Sequence, residues 1–285
     1  MLRKLLFFIY NLKNYRFKVF KFINEYIKLN NSLYQSIENN RAIQKKRLYR
    51  LLKHASLNIP YYQEIVREKR INISLDTIFE DIRKFPILTK ELLRENWDLL
   101  HSDLKYKKYS INTSGGTTGE PVRFIQTRKY KILNECGKIV FNQIGGYYPG
   151  NRLVKLWGNE KDILGMSEGF LKPIENKFFR NIFFQNSFKM SNQDLREYIY
   201  QINKIKPNTI LAYVQSIYEM AKFIRRNGLA VFSPKSIITS AGILTSEMKE
   251  YIEDTFNCEV FNRYGSREVS VIGSSCEVSE KIHIN

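Results

Sequence analysis

Up to about residue 105 the apolar positions recur at helical spacing. Leu, Ile, Lys and Glu dominate residues 24–53, interrupted near Asn30-Asn31, and this periodicity predicts helices. The piece LLKHASLNIPYYQEIV stops at Asn58-Ile59-Pro60, because a proline disfavours the α region in the residue before it. FEDIRKFPILTKELLRENWDLL breaks again at Pro86, and Thr89 is placed to cap a helix starting at Lys90.

Beyond about Lys105 the texture changes. Short β-rich runs appear: VRFIQT, RLVKLWG, NTILAYV, SIITSAG and CEVFNRYG. Amphipathic helical stretches at 128–144, 192–204, 215–227 and 245–256 lie between them. Strands alternating with helices of this length predict an α/β fold, mostly parallel sheet flanked by helices, with a helical N-terminal segment. The expected organisation is a helical segment over 1–105, packed on a core over 106–285. Ligands of such sheets bind beyond the carboxyl ends of the strands. The loops of interest are therefore SAG at 240–242 and YGSRE at 264–268.

Composition narrows the function classes. The 285 residues carry 46 Lys and Arg against 28 Asp and Glu, a formal charge of +18. That balance favours anionic partners, whether nucleic acid, an acidic membrane surface or phosphate-bearing substrates. The charge is dispersed, with no Arg-rich arm and no RNA-binding strand motif, which argues against nucleic acid. A content of 18 Tyr and 19 Phe argues against disorder. Cys136, Cys258 and Cys276 form no framework, in keeping with a reduced, cytoplasmic setting. The N-terminal run Leu5–Tyr10 is too short to span a bilayer. Apolar and basic residues alternate there, so the terminus is either an interfacial helix at the inner membrane face or a docked helix.

The stretch TSGGTTGEPVRF, Thr113–Phe124, carries the densest chemistry. Gly115, Gly116 and Gly119 let backbone amides turn inward, and successive inward amides form a nest that suits anions. Thr113, Ser114, Thr117 and Thr118 add hydroxyl donors. The segment is either a glycine-rich hairpin loop or an anion-holding turn into a strand. It is neither a nucleoside-triphosphate loop ending in Gly-Lys-Ser/Thr nor a dinucleotide fingerprint opening a helix.

TSGGTTGEPV resembles the phosphate-gripping loop of the adenylate-forming acid ligases, the AMP-forming acyl-CoA synthetase superfamily. HASLNIPYY at 54–62, FPILTK at 85–90, WG at 157–158, KPNTILAY at 206–213, ITSAGILT at 238–245 and RYGSREVS at 263–270 follow in the order of the phenylacetate–CoA ligase and CapK-like branch. The resemblance implies the large N-terminal domain of that fold, incomplete here. It also implies a two-step reaction: a carboxylic acid is activated by ATP as an acyl-adenylate, then transferred to coenzyme A or another nucleophile. Such chemistry depends on positioning and charge stabilisation. The setting implied is capsule or cell-surface polysaccharide, or acyl-CoA, metabolism.

The resemblance also implies roles. Thr113, Ser114, Gly115, Gly116, Thr117, Thr118 and Gly119 would hold the pyrophosphate end of ATP. Tyr264, with Gly265 and Ser266, would stack near the adenine, and Ala241 and Gly242 would line its pocket. Glu268 would bind Mg²⁺. Arg267 stands where the family has Thr and would grip the α-phosphate. Val122 stands where a Lys is common. Other residues have blander readings. Cys276 and His283 are two ligands, short of a tetrahedral metal site, and read as a buried Cys and an exposed His. His54 reads as a packing or capping residue before a Pro-Tyr-Tyr turn. Tyr213 and Gln215 are placed to line an acyl pocket.

The family's members continue past YGSRE with a ribose-binding aspartate and a mobile domain carrying a lysine. This sequence ends at KIHIN, which leaves open a fragment, a degenerate gene or a short protein. The alternatives to an acid ligase are a nucleotide-binding remnant without catalysis and a basic nucleic-acid or membrane-surface binder.

Overall fold

The computed structural model describes residues 19–101, 109–114, 121–158 and 180–284. The chain forms two compact units, residues 30–132 and residues 1–29 with 133–285. The basic terminus before Val19 lies outside the described residues. Among those described, no helix is long and apolar enough to cross a membrane.

Helix α1 runs Val19–Ser32. In the unit of residues 30–132, α2 (Ile37–Asn58) starts at Ser36, whose hydroxyl accepts from the Asn39 amide, and ends where Pro60 requires an extended Ile59. Pro60, Tyr61 and Tyr62 do not form a turn. They open α3 (Pro60–Glu68) with the proline in the first turn, where its missing N–H costs nothing. A short α4 (Ile78–Asp81) and a 3₁₀ turn (Ile82–Lys84) follow. Thr89 caps α5 (Lys90–Glu95) by accepting from the Leu92 amide. Leu52, Ile65, Ile71, Ile73 and Ile78 form this unit's apolar core. Beneath it Asp81 is fully buried. It accepts from the Ser74 amide (3.0 Å), the Thr77 hydroxyl (2.9 Å) and Lys84 (2.8 Å). Burial pushes the Asp81 carboxyl up, but these donors outweigh it and hold the group below its usual range. The same unit contains an antiparallel hairpin, β1 (Tyr109–Thr113) and β2 (Arg123–Thr127).

The larger unit is a seven-stranded sheet in the order β4-β3-β5-β6-β7-β8-β9. Its parallel part comprises β3 (Leu153–Leu156), β4 (Ile182–Gln185), β5 (Thr209–Tyr213), β6 (Ser236–Ser240) and β7 (Glu259–Ser266). Its antiparallel extension is β8 (Ser270–Cys276) and β9 (Ser279–Ile284). Helix α6 is Arg128–Ile144, and α7 (Asn192–Ile205), α8 (Val214–Arg226) and α9 (Ser246–Phe256) connect the parallel strands. The expected α/β architecture, mostly parallel sheet flanked by helices, is what the chain adopts.

Side chains alternate between the two sheet faces. Val154, Leu156, Ile210, Ala212, Ile237 and Val260 pack with Leu195, Ile199, Ile217, Met220, Ile252 and Phe256 of α7, α8 and α9. At about 1.5–3 kcal/mol for each large side chain buried, this layer dominates the unit's stability. Leu153, Ile182, Leu211, Ile238 and Phe261 face the other way, with Tyr147 after α6.

Candidate active site

In the unit of residues 30–132, the glycine-rich stretch joins the two strands of a hairpin. Pairing continues past Thr113 and Arg123: the Ser114 amide donates to the Val122 carbonyl (2.9 Å), and the Val122 amide donates to the Ser114 hydroxyl (3.0 Å). Ser114 therefore anchors the loop's mouth through its oxygen and keeps its own proton to donate. The Thr113 amide donates to the Asn112 side-chain oxygen (2.8 Å). Arg123 lays its guanidinium 4.7 Å over the Trp97 ring. Gly115, Gly116, Thr117, Thr118 and Gly119 lie outside the described residues.

In the sheet unit, the ends of the parallel strands form two rows. Cross-strand pairing places Phe184, Lys155, Leu211, Ile238 and Phe261 side by side on one face. The next row toward the carboxyl ends holds Trp157, Tyr213, Ser240 and Arg263, since Tyr213 pairs with Ser240 and the others are one residue past a pair. The Trp157 and Tyr213 rings sit 4.2 Å apart, and Arg263 lies 5.7 Å over Trp157. Tyr213 thus stands at the expected sheet edge, whereas Gln215 is exposed on α8 and bonds Glu219 at 2.9 Å.

YGSRE is not a loop following a strand. Strand β7 continues through Tyr264, Gly265 and Ser266, and only Arg267, Glu268 and Val269 form the turn into β8. The reason is close backbone pairing: a Cβ on Gly265 would sit 2.4 Å from the Ser270 carbonyl oxygen. Only glycine lets the strands meet there, at a bulge between Tyr264 and Gly265. Ser270 takes a left-handed φ of 68° and donates its hydroxyl to Asn134 on α6. The Ser266 hydroxyl accepts from the Val269 amide at 3.4 Å. Tyr264 is 57% exposed, leaving its ring open to stacking. Arg267 and Glu268 stand exposed at the hairpin tip.

Ala241 follows β6 with a left-handed φ of 57°, which turns the chain out of the sheet. The β6–β7 pairing ends at Thr239 and Asn262, two residues before Ala241 and Tyr264. Gly242 is exposed, and a Cβ there would lie 3.1 Å from the Val214 Cβ. The structure thus gathers Ala241, Gly242, Tyr264, Gly265, Ser266, Arg267 and Glu268 at one sheet edge, where α/β folds take ligands. A single exposed carboxylate suits Mg²⁺ carried on nucleotide phosphates, because that ion keeps several waters. Among the described residues no group of three or more His, Cys, Asp or Glu could hold a metal.

Sequence periodicity passed over a set of charges behind this edge. Lys155 stands on β3 among apolar neighbours and is partly buried, its Nζ 5.5 Å over the Phe184 ring. Burial, then Arg180, Lys138 and Arg263, push its ammonium down to about 7, while Glu135 opposes them. Arg263 is 8% exposed and donates to the Asn142 side-chain oxygen at 2.8 Å; burial lowers it to about 10. Glu135 bridges Lys138 (3.0 Å) and Arg180 (3.8 Å). The only sequence signal was a lysine inside the strand run LVKL.

Two minor sites resolve simply. Cys276 Sγ and His283 Nε2 are 3.2 Å apart across β8 and β9; Cys276 is only partly buried, not buried as expected. His54 Nδ1 accepts from the Asn58 side-chain amide at 3.1 Å in the last turn of α2, a local packing role.

No family model matches the chain. It is 28% identical over 236 residues to the protein CapK of Staphylococcus aureus, covering 79% of this chain and 50% of that one. It is 24% identical over 253 residues to a phenylacetate–coenzyme A ligase of Pseudomonas putida, covering 86% and 55%. In fold it is similar to 2-hydroxyisobutyryl-CoA ligase solved with 2-HIB-AMP and CoA, with a TM-score of 0.63, 16% identity, and coverage of 87% and 53%. The chain spans about half the length of the curated relatives it matches.

Proposed function

We propose that this chain, a relative of the adenylate-forming acid ligases on the CapK and phenylacetate–CoA ligase branch, binds Mg·ATP and takes part in activating a carboxylic acid. The observation that carries the reading is the hairpin Tyr264–Ser270, which extends β7 beyond the end of β6, where Ala241 follows, at the carboxyl edge of the parallel sheet. Tyr264 offers a ring face for the adenine, and Ala241 and Gly242 wall it. Glu268 would hold Mg²⁺ carried by the nucleotide, which would supply charge neutralisation there, and Arg267 would draw charge from the α-phosphate. Thr113, Ser114 and Gly115 through Gly119 receive the pyrophosphate end through amides and hydroxyls.

In the reaction so read, a carboxylate oxygen of the acid attacks the α-phosphorus. The bond from that phosphorus to the bridging oxygen breaks, and pyrophosphate leaves with its electrons. Positioned donors lower this barrier more than any side-chain nucleophile would. Coenzyme A is the acceptor we assign to the second step, with its thiol displacing AMP. Capsule or cell-surface polysaccharide assembly, on the cytoplasmic side, is the setting suggested by the likeness to CapK. The test is pyrophosphate release from Mg·ATP over a panel of carboxylic acids. Acid-dependent release supports the reading, and none with any acid counts against it.

A further inference from the structure

The charges behind the sheet edge are the feature this reading does not use. Lys138, Lys155, Arg180 and Arg263 converge around one carboxylate, Glu135, among the described residues. Among the described residues the buried Arg180 Nε has no hydrogen-bond partner. Arg263 donates to the Asn142 side-chain oxygen. The row that holds Lys155 is otherwise Phe184, Leu211, Ile238 and Phe261, so an apolar side chain would fit the pattern of that face. An ammonium held among apolar neighbours is destabilising unless something there compensates it. Groups held this far from their ordinary titration cluster at functional sites.

The position is informative too. Lys155 lies two residues before Trp157 on the same face, and Trp157 stacks with Tyr213 and under Arg263 at the carboxyl ends of β3, β5 and β7. An anion reaching in from that edge, past the aromatic pair, would meet Arg263 first and Lys155 beneath it. It would bring negative charge and acceptor oxygens to four cations that share one carboxylate among the described residues.

We propose that the acid accepted by this chain carries a second anionic group, which seats against Arg263 and Lys155. The inference rests on the acid-activation reading and adds the substrate class: a dianionic acid, not an apolar one. The second group is a carboxylate or a phosphate-type oxyanion; both accept charge-assisted hydrogen bonds.

The test is binding by calorimetry to the whole chain, with and without Mg²⁺ and a non-hydrolysable ATP analogue. The probes are benzoate, isophthalate and 3-phosphonobenzoate. The expected result is at least tenfold tighter binding of one or both dianions than of benzoate, the stronger of the two identifying the group. Lys155→Met should remove that preference without weakening benzoate, and Lys155→Arg should retain it. Melting curves of both variants confirm folding. Equal affinity for all three probes, or a preference that survives in Lys155→Met, overturns the proposal. Binding of the ATP analogue is read in the same titrations. Analogue bound without dianion preference sinks this inference alone, whereas no analogue bound counts against the broader reading.

Discussion

Gly265 and Ser270 face each other so closely that a Cβ on the glycine would lie 2.4 Å from the serine's carbonyl oxygen. The contact is backbone to backbone, so no side chain can swing aside to relieve it. It fixes the height at which Arg267 and Glu268 project from the sheet, and links the strand to α6 through Ser270 and Asn134. Gly265→Ala should therefore lower stability by about 1–3 kcal/mol, the usual cost of overpacking, and weaken Mg·ATP binding at least tenfold. Thermal unfolding and nucleotide titration check the two effects. Wild-type nucleotide affinity in the alanine variant would remove the hairpin from the site.

Lys155 gives a pH signature. Its ammonium is lowered from 10.5 to about 7 in the folded chain, so from pH 7 upward the unfolded chain holds a proton that the folded chain has released. Stability from this group then rises with pH. Between pH 7 and 8.5 wild type should gain stability relative to Lys155→Met, the cysteine contributions being common to both chains. Denaturant unfolding at several pH values measures that difference. A pH-independent difference would mean that Lys155 is solvated.

Asp81 shifts stability in the same direction with pH, but in the acid range. Its folded carboxyl is held below 3.8, so its contribution is present above the unfolded value and lost as pH falls through the folded one. Asp81→Asn should cost about 1–3 kcal/mol at neutral pH, through disrupted buried hydrogen bonds, and blunt the acid sensitivity of the unit of residues 30–132. Acid titration followed by circular dichroism tests it. An unchanged acid midpoint in the asparagine variant would contradict the assignment.

These cases show what periodicity can and cannot reveal. The runs ILAY and SIITS, buried on both faces, announced β5 and β6, and Thr89 announced its helix through capping chemistry. Strands β8 and β9 were missed because SVIGSSC and SEKIHI mix small, polar and charged residues, as strands at a sheet margin do. The end of β7 was read as loop because its glycine serves a strand pairing there, not a turn. Lys155 and Arg263 escaped because their meaning lies in cross-strand register, which joins β3 to β7 through two intervening strands. Motif order pointed to this edge of the sheet; only the fold shows the cations behind it.

Equilibrium titration of this chain with ATP, with and without Mg²⁺, in wild type and Glu268→Ala, tests the central claim most directly. The account predicts saturable binding strengthened by Mg²⁺, with Glu268→Ala losing at least tenfold of the Mg²⁺-dependent affinity and little of the rest. Absence of ATP binding at any Mg²⁺ concentration, or Mg²⁺-dependent binding unchanged in Glu268→Ala, would contradict it.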